Sequence, residues 1–234
     1  MGPSRRGNPV NAWARLRVKC CGITRVEDAT LAATLGADAI GLVFTRCSPR
    51  CVGLEQALAI RAALPPLVAA VALFMDDEPG WVREVVEHVQ PDLLQFHGDE
   101  DAGYAQQFGR RYLKAIAMAD AGDPAARMAA HPHAAGFLLD GHARGEAGGR
   151  GRAFDWTRVP RHTGRPWLLA GGLDADNVAA AIRAARPYGV DVSSGIECAP
   201  GIKDPLRMRR FIAAVRAGEH DAAAPHSGTA SPRD

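Results

Sequence analysis

From Arg17 to about Gly218 one unit repeats along the chain: a short apolar run, a turn, an amphipathic stretch and another turn. The apolar runs are Arg17–Cys21, Ala39–Phe44, Leu67–Phe74, Leu93–His97, Tyr112–Met118, Gly136–Asp140, Trp167–Gly171 and Val190–Ser194. Between and after them lie Arg25–Leu35, Leu54–Leu64, Glu78–Val89, Ala102–Phe108, Pro124–Ala130, a short piece around Phe154–Val159, Ala175–Ala185 and Pro205–Ala217. Val82, Val85, Val86 and Val89 show the spacing of a buried helix face. Alternating strands and helices build a parallel sheet, because each crossover helix returns the chain to the same end. Eight such units close most economically into a (β/α)8 (TIM) barrel, for which about 200 residues is the lower end. An open doubly wound sheet is the alternative, and the lack of a G-x-G-x-x-G at the first helix weighs against it.

The 234 residues suffice for one large core. The expected organisation is an extension over 1–15, the barrel over 16–218 and a tail over 219–234, both ends being poorly ordered. A net charge of +2 with scattered arginines gives no footprint for nucleic acid. No apolar stretch of signal-peptide type follows Arg5 and Arg6, and the run from Leu67 to Met75 is too short to span a bilayer. The expectation is a cytoplasmic protein with no membrane partner. The five cysteines, an odd number without a secretory signal, read as reduced thiols. Cys47 and Cys51 lack the paired knuckles of a zinc site.

Chemistry in such a barrel belongs at the carboxyl ends of the strands. Cys21 ends the first, and Thr24 with Glu27 has the spacing of a capping box, which starts a helix at Arg25. A thiol beside a helix amino terminus has a lowered pKa and suits a general base, although most cysteines are small buried hydrophobes. By the period of two, Lys19 shares a face with Cys21, Gln95 with His97, and Leu138 with Asp140. A lone Asp140 would read as a cap or turn residue; beside Cys21 and His97 it reads as a functional carboxylate. Gly171 and Gly172 after the seventh strand, with Ser193, Ser194 and Gly195 after the eighth, resemble a phosphate cradle. Arg50 in the loop after the second strand suits a substrate carboxylate, the alternative being a solvated loop arginine.

Seven ordered motifs carry a more specific signal. They are Lys19-Cys20-Cys21-Gly22-Ile23-Thr24, Ser48-Pro49-Arg50, Leu94 to Glu100, Phe137-Leu138-Leu139-Asp140, Phe154-Asp155-Trp156, Leu169 to Leu173, and Asp191 to Glu197 with Pro200 to Asp204. With them the chain resembles the phosphoribosylanthranilate isomerase family of tryptophan biosynthesis. That resemblance implies an aldose–ketose isomerase without metal or cofactor, converting N-(5-phosphoribosyl)anthranilate to its 1-deoxyribulose 5-phosphate isomer by an Amadori rearrangement. It implies Asp140 as general acid, Cys21 as general base, Arg50 on the anthranilate carboxylate, and the Gly172 and Ser194-Gly195 region on the phosphate. His97 and Asp191 are expected against the substrate, the role of Asp191 being the less defined. Phe137 and Leu139 are expected to desolvate Asp140. Cys20, on the opposite face, is expected to be a core thiol, and Arg150 stands where the family usually has threonine.

The alternatives are a sister phosphosugar isomerase, such as that for aminoimidazole-carboxamide ribotide, and a non-catalytic phosphate-ligand barrel. The sister class would have an aspartate where Cys21 stands. The partner expected is a small phosphosugar, on a monomer or a homodimer.

Overall fold

A computed structural model describes residues 15–120, 122–141, 155–160 and 163–223. Eight parallel strands form a closed barrel: β1 (Arg17–Cys20), β2 (Ala39–Val43), β3 (Ala69–Phe74), β4 (Leu93–Phe96), β5 (Tyr112–Ala117), β6 (Gly136–Asp140), β7 (Trp167–Leu169) and β8 (Gly189–Val192). Pairing of β1 with β8, from Arg17 opposite Gly189 to Cys20 opposite Val192, closes the ring. Around it run α1 (Val26–Thr34), α2 (Leu54–Ala62), α3 (Pro79–Val89), α4 (Ala102–Gln106), α5 (Pro124–Ala129), α6 (Val178–Ala185) and α7 (Pro205–Ala223). The piece expected around Phe154–Val159 is one 3-10 turn, Trp156–Arg158; Phe154 lies outside the described residues, as does Arg150. Not foreseen were a 3-10 turn, Ser194–Ile196, and a hairpin of β9 (Glu197–Ala199) and β10 (Ile202–Lys203) between β8 and α7. Among the described residues no helix is long and apolar enough to cross a membrane.

Strand alternation sorts the core into layers. Outward residues such as Val18, Cys20, Ile40, Phe74, Phe96, Phe137 and Leu139 join one large cluster with the helices. Inside the barrel are two smaller apolar groups. One is Cys21, Val43, Val71 and Leu73, and the other is Leu113, Ala115, Leu138, Leu168 and Ala170. Lys19, Gln95 and Asp191, all buried, share the interior with them. Cys20 is a core thiol, and burial pushes its pKa up to about 12.

Two local expectations are corrected. Thr24 and Glu27 make no capping box: α1 starts at Val26 with no side-chain cap at Arg25, while the Thr24 hydroxyl donates instead to the carbonyl of Gly201 at 2.5 Å. The last helix passes Glu219, where the tail was expected to begin, and continues to Ala223. The added turn has a physical reason. Arg216 donates to the Leu16 carbonyl at 3.0 Å and to Glu219 at 3.1 Å, and the Leu16 N–H donates to Glu219, so α7 is clamped to the start of β1. Residues 1–14 and 224–234 lie outside the described residues.

Candidate active site

The strands deliver their last side chains to one cleft at the carboxyl end of the barrel. Its wall carries Cys21 just after β1, Arg50 and Ser48 from the loop after β2, Gln95 from β4 and His97 just after it, Asp140 from β6, Gly171 and Gly172 after β7, Asp191 from β8, and Ser193 and Ser194 after it. Gly195, expected with them, is not on the wall. It packs behind: a Cβ there would lie 2.0 Å from the Leu173 carbonyl oxygen, so its bareness lets the loop after β8 close onto the loop after β7.

Cys21 extends β1 through its N–H, which donates to Val192 O at 2.8 Å. Across from it, Gly41 makes room: a Cβ at Gly41 would stand 2.8 Å from the Cys21 sulfur. The thiol does not sit at a helix amino terminus, since α1 begins five residues later. Its pKa is accordingly not lowered. Burial pushes it up, and the Lys19 ammonium, by charge and by hydrogen bond, works against the burial. Lys19 donates to Asp191 Oδ1 at 2.8 Å, both side chains being almost wholly buried. Burial opposes the charge on Lys19, but Asp191 and Cys21 outweigh it and hold the ammonium above its ordinary pKa. On Asp191 burial wins, pushing the carboxyl up against the pull of Lys19, and Asp140 adds to the rise.

On the far side of the cleft, Asp140 Oδ2 lies 3.6 Å from His97 Nε2. The other ring nitrogen of His97 meets Gln95 Nε2 at 3.3 Å. Phe137 and Leu139 do not desolvate Asp140, because they face the helices; the inward neighbour on its own strand is Leu138. Gly171 and Gly172 have φ of +86° and +64°, a turn that L side chains rarely adopt. Behind that turn Asn177 donates to Gly172 O at 2.7 Å, and Asp174 accepts from the N–H groups of Asp176 and Asn177, which fixes the loop. The Ser193 hydroxyl is buried and has no hydrogen-bond partner among the described residues. A buried donor of this kind, beside an open backbone turn, suits an anionic ligand.

Arg50 is not a solvated loop residue. Its Nε and Nη2 donate to Glu197 Oε1 and Oε2 at 2.9 and 2.7 Å. Lys19, Glu197 and Lys203 are the ionisable groups whose roles the sequence reading left out. All three stood inside its motifs, and their signal was charge at positions that the fold buries.

The family model for N-(5'phosphoribosyl)anthranilate (PRA) isomerase matches residues 18–214. The chain is 52% identical over 208 residues to an N-(5'-phosphoribosyl)anthranilate isomerase of Xanthomonas campestris pv. campestris, covering 86% of this chain and 94% of that one. It is similar to the crystal structure of phosphoribosyl anthranilate isomerase from Thermotoga maritima, with a TM-score of 0.79 and 36% identity over 87% of this chain and all (100%) of that one. A further solved isomerase of this kind, in complex with reduced 1-(o-carboxyphenylamino)-1-deoxyribulose 5-phosphate, matches with a TM-score of 0.77 and 34% identity, over 87% of this chain and 100% of that one.

Proposed function

Because the chain belongs to the phosphoribosylanthranilate isomerase family, we propose that its cleft isomerises N-(5'-phosphoribosyl)anthranilate by acid–base catalysis between Cys21 and Asp140. The reaction is a step of tryptophan biosynthesis and yields 1-(2-carboxyphenylamino)-1-deoxyribulose 5-phosphate. The observation that carries the assignment of roles is that a thiol at the end of β1 and a carboxylate at the end of β6 face one cleft from non-adjacent strands.

Asp140 gives its proton to the furanose ring oxygen. The bond from that oxygen to C1′ breaks, and the anilino nitrogen lone pair forms an iminium. The Cys21 thiolate then takes the C2′ proton, and the electron pair left behind forms the C1′–C2′ double bond of an enolamine. Proton transfer from the C2′ hydroxyl to C1′ gives the ketone. The iminium makes the C2′ proton acidic, so a thiolate is a sufficient base. Lys19 supplies the counter-charge that lets a buried thiol ionise. Arg50 holds the anthranilate carboxylate, while His97 and Asp191 border the sugar. The backbone at Gly171 and Gly172 with Ser193 and Ser194 holds the phosphate.

The test is turnover by the purified chain of phosphoribosylanthranilate formed in situ, followed as loss of its fluorescence. Steady loss with formation of the ketose phosphate is expected. No turnover by folded protein, with turnover of the sister enzyme's own aminoaldose phosphate instead, would transfer the site to the sister reaction. Binding without turnover of either would leave a phosphate-ligand barrel.

A further inference from the structure

The acid–base step makes no use of a buried charge cluster where the loops after β2 and β8 meet. Glu197, at the start of β9, accepts the Nε and Nη2 edge of Arg50. Lys203, on the paired strand β10, donates to the same Oε1 at 2.7 Å, and the Gly201 N–H reaches that oxygen at 3.2 Å. The Lys203 ammonium also donates to the carbonyls of Cys21 at 2.6 Å and Ser193 at 3.2 Å, the ends of two strands that carry the site. Glu197 and Lys203 are buried, at 5% and 0% side-chain exposure, and Arg50 is partly buried, at 11%. The stem of Arg50 crosses Gly22 so closely that a Cβ there would lie 2.5 Å from its Cδ.

A guanidinium has two edges that match a carboxylate. Glu197 occupies the one formed by Nε and Nη2, which leaves the edge formed by Nη1 and Nη2 on a side chain that lines the cleft. One glutamate and two cations leave the trio a single positive charge, the complement of one carboxylate. Burial opposes the charge on Glu197, but hydrogen bonds from Arg50 and the charge of Lys203 outweigh it and hold the carboxyl below its ordinary pKa.

We propose that Glu197 is a positioning residue for carboxylate recognition: it locks one edge of Arg50 so that the other is presented to the aryl carboxylate of the ligand, with Lys203 offsetting its charge. The inference rests on the reading of Arg50 as the carboxylate holder. On this account Glu197 acts only through Arg50, and only on ligands that bear the carboxylate. A free Arg50 would swing among rotamers and pay that entropy on binding.

The experiment is calorimetric binding to the full chain of two probes, reduced 1-(o-carboxyphenylamino)-1-deoxyribulose 5-phosphate and the same molecule without the ring carboxylate. The wild type is expected to prefer the first by about a hundredfold, in line with a bidentate charged pair. Arg50→Met should abolish the preference. Glu197→Gln should cut it by about tenfold, the size of one charge-assisted hydrogen bond, weaken the second probe far less, and add nothing in the Arg50→Met background. Glu197→Asp keeps the charge but withdraws it by one methylene, and it should show the same selective loss even where the Gln variant fails to fold. Preference surviving in Arg50→Met would remove the Arg50 reading itself. Preference lost in Arg50→Met but kept in full by the Glu197 variants, or equal losses for both probes, would overturn the positioning role alone.

Discussion

The neighbours that govern Cys21, the proposed base, differ from those its local sequence suggested. Helix proximity was the legible cue, yet the thiol is governed by burial and by Lys19, two residues back on the same strand face. That partner was visible as a shared face, but its buried pairing with Asp191 arises only when β1 closes against β8, a contact across 172 positions of sequence. Burial holds the thiol above its ordinary range, so kcat/KM should rise with pH along its acid limb as Cys21 ionises. Lys19→Met removes the charge that favours the thiolate, and it should move that limb to still higher pH; a limb left in place would show that another group titrates. Gly41→Ala sets a methyl 2.8 Å from the Cys21 sulfur. A displaced base on a folded scaffold should lower kcat by about a hundredfold, measured beside a thermal melt that reports the packing cost separately.

Among the elements, all eight strands and most helices were legible, because two periods alternate without interruption and burial on both faces leaves the strands apolar. Boundaries were less so. The motif Thr24-x-x-Glu27 had the letters of a capping box, but a tertiary partner, the Gly201 carbonyl, took the threonine hydroxyl. Glu27→Ala should therefore change stability by less than about 0.5 kcal/mol, as for an ordinary surface site. Thr24→Val should cost about 1 kcal/mol, the worth of one hydrogen bond, in urea unfolding. The reverse order would restore the capping box. The β9–β10 hairpin escaped notice because its strands have three and two residues, too short to show a period. It nevertheless supplies Glu197 and Lys203.

At the scale of the molecule, one ring of strands gathers groups from Cys21 to Ser194 into a single cleft, and nine of the ten residues singled out in the sequence line it. Position at the strand ends, or in the loops that follow them, marked those nine. Gly195 stands apart from that lining, because it is needed bare where the loops after β7 and β8 pack together. Stability has its own pH dependence away from the cleft. Buried His131, beside Tyr112, is held neutral, with its pKa lowered to about 4 by burial, and Lys114 adds to the effect. Its unfolded value is higher, so the unfolded chain takes up the proton first as pH falls. Stability is full above about pH 6.5 and declines toward about pH 4, by roughly 2–4 kcal/mol for this group alone. His131→Gln should flatten that part of the stability profile, and an unchanged slope would place the titration elsewhere. The central claim concerns the two proton transfers, and the most direct measurement is turnover of phosphoribosylanthranilate by Cys21→Ala and Asp140→Asn, each shown to be folded. Both should lose about 10²–10⁴-fold in kcat, the usual worth of a general acid or base, while still binding the reduced product analogue. Either variant turning over near the parent rate would contradict the assignment of its residue.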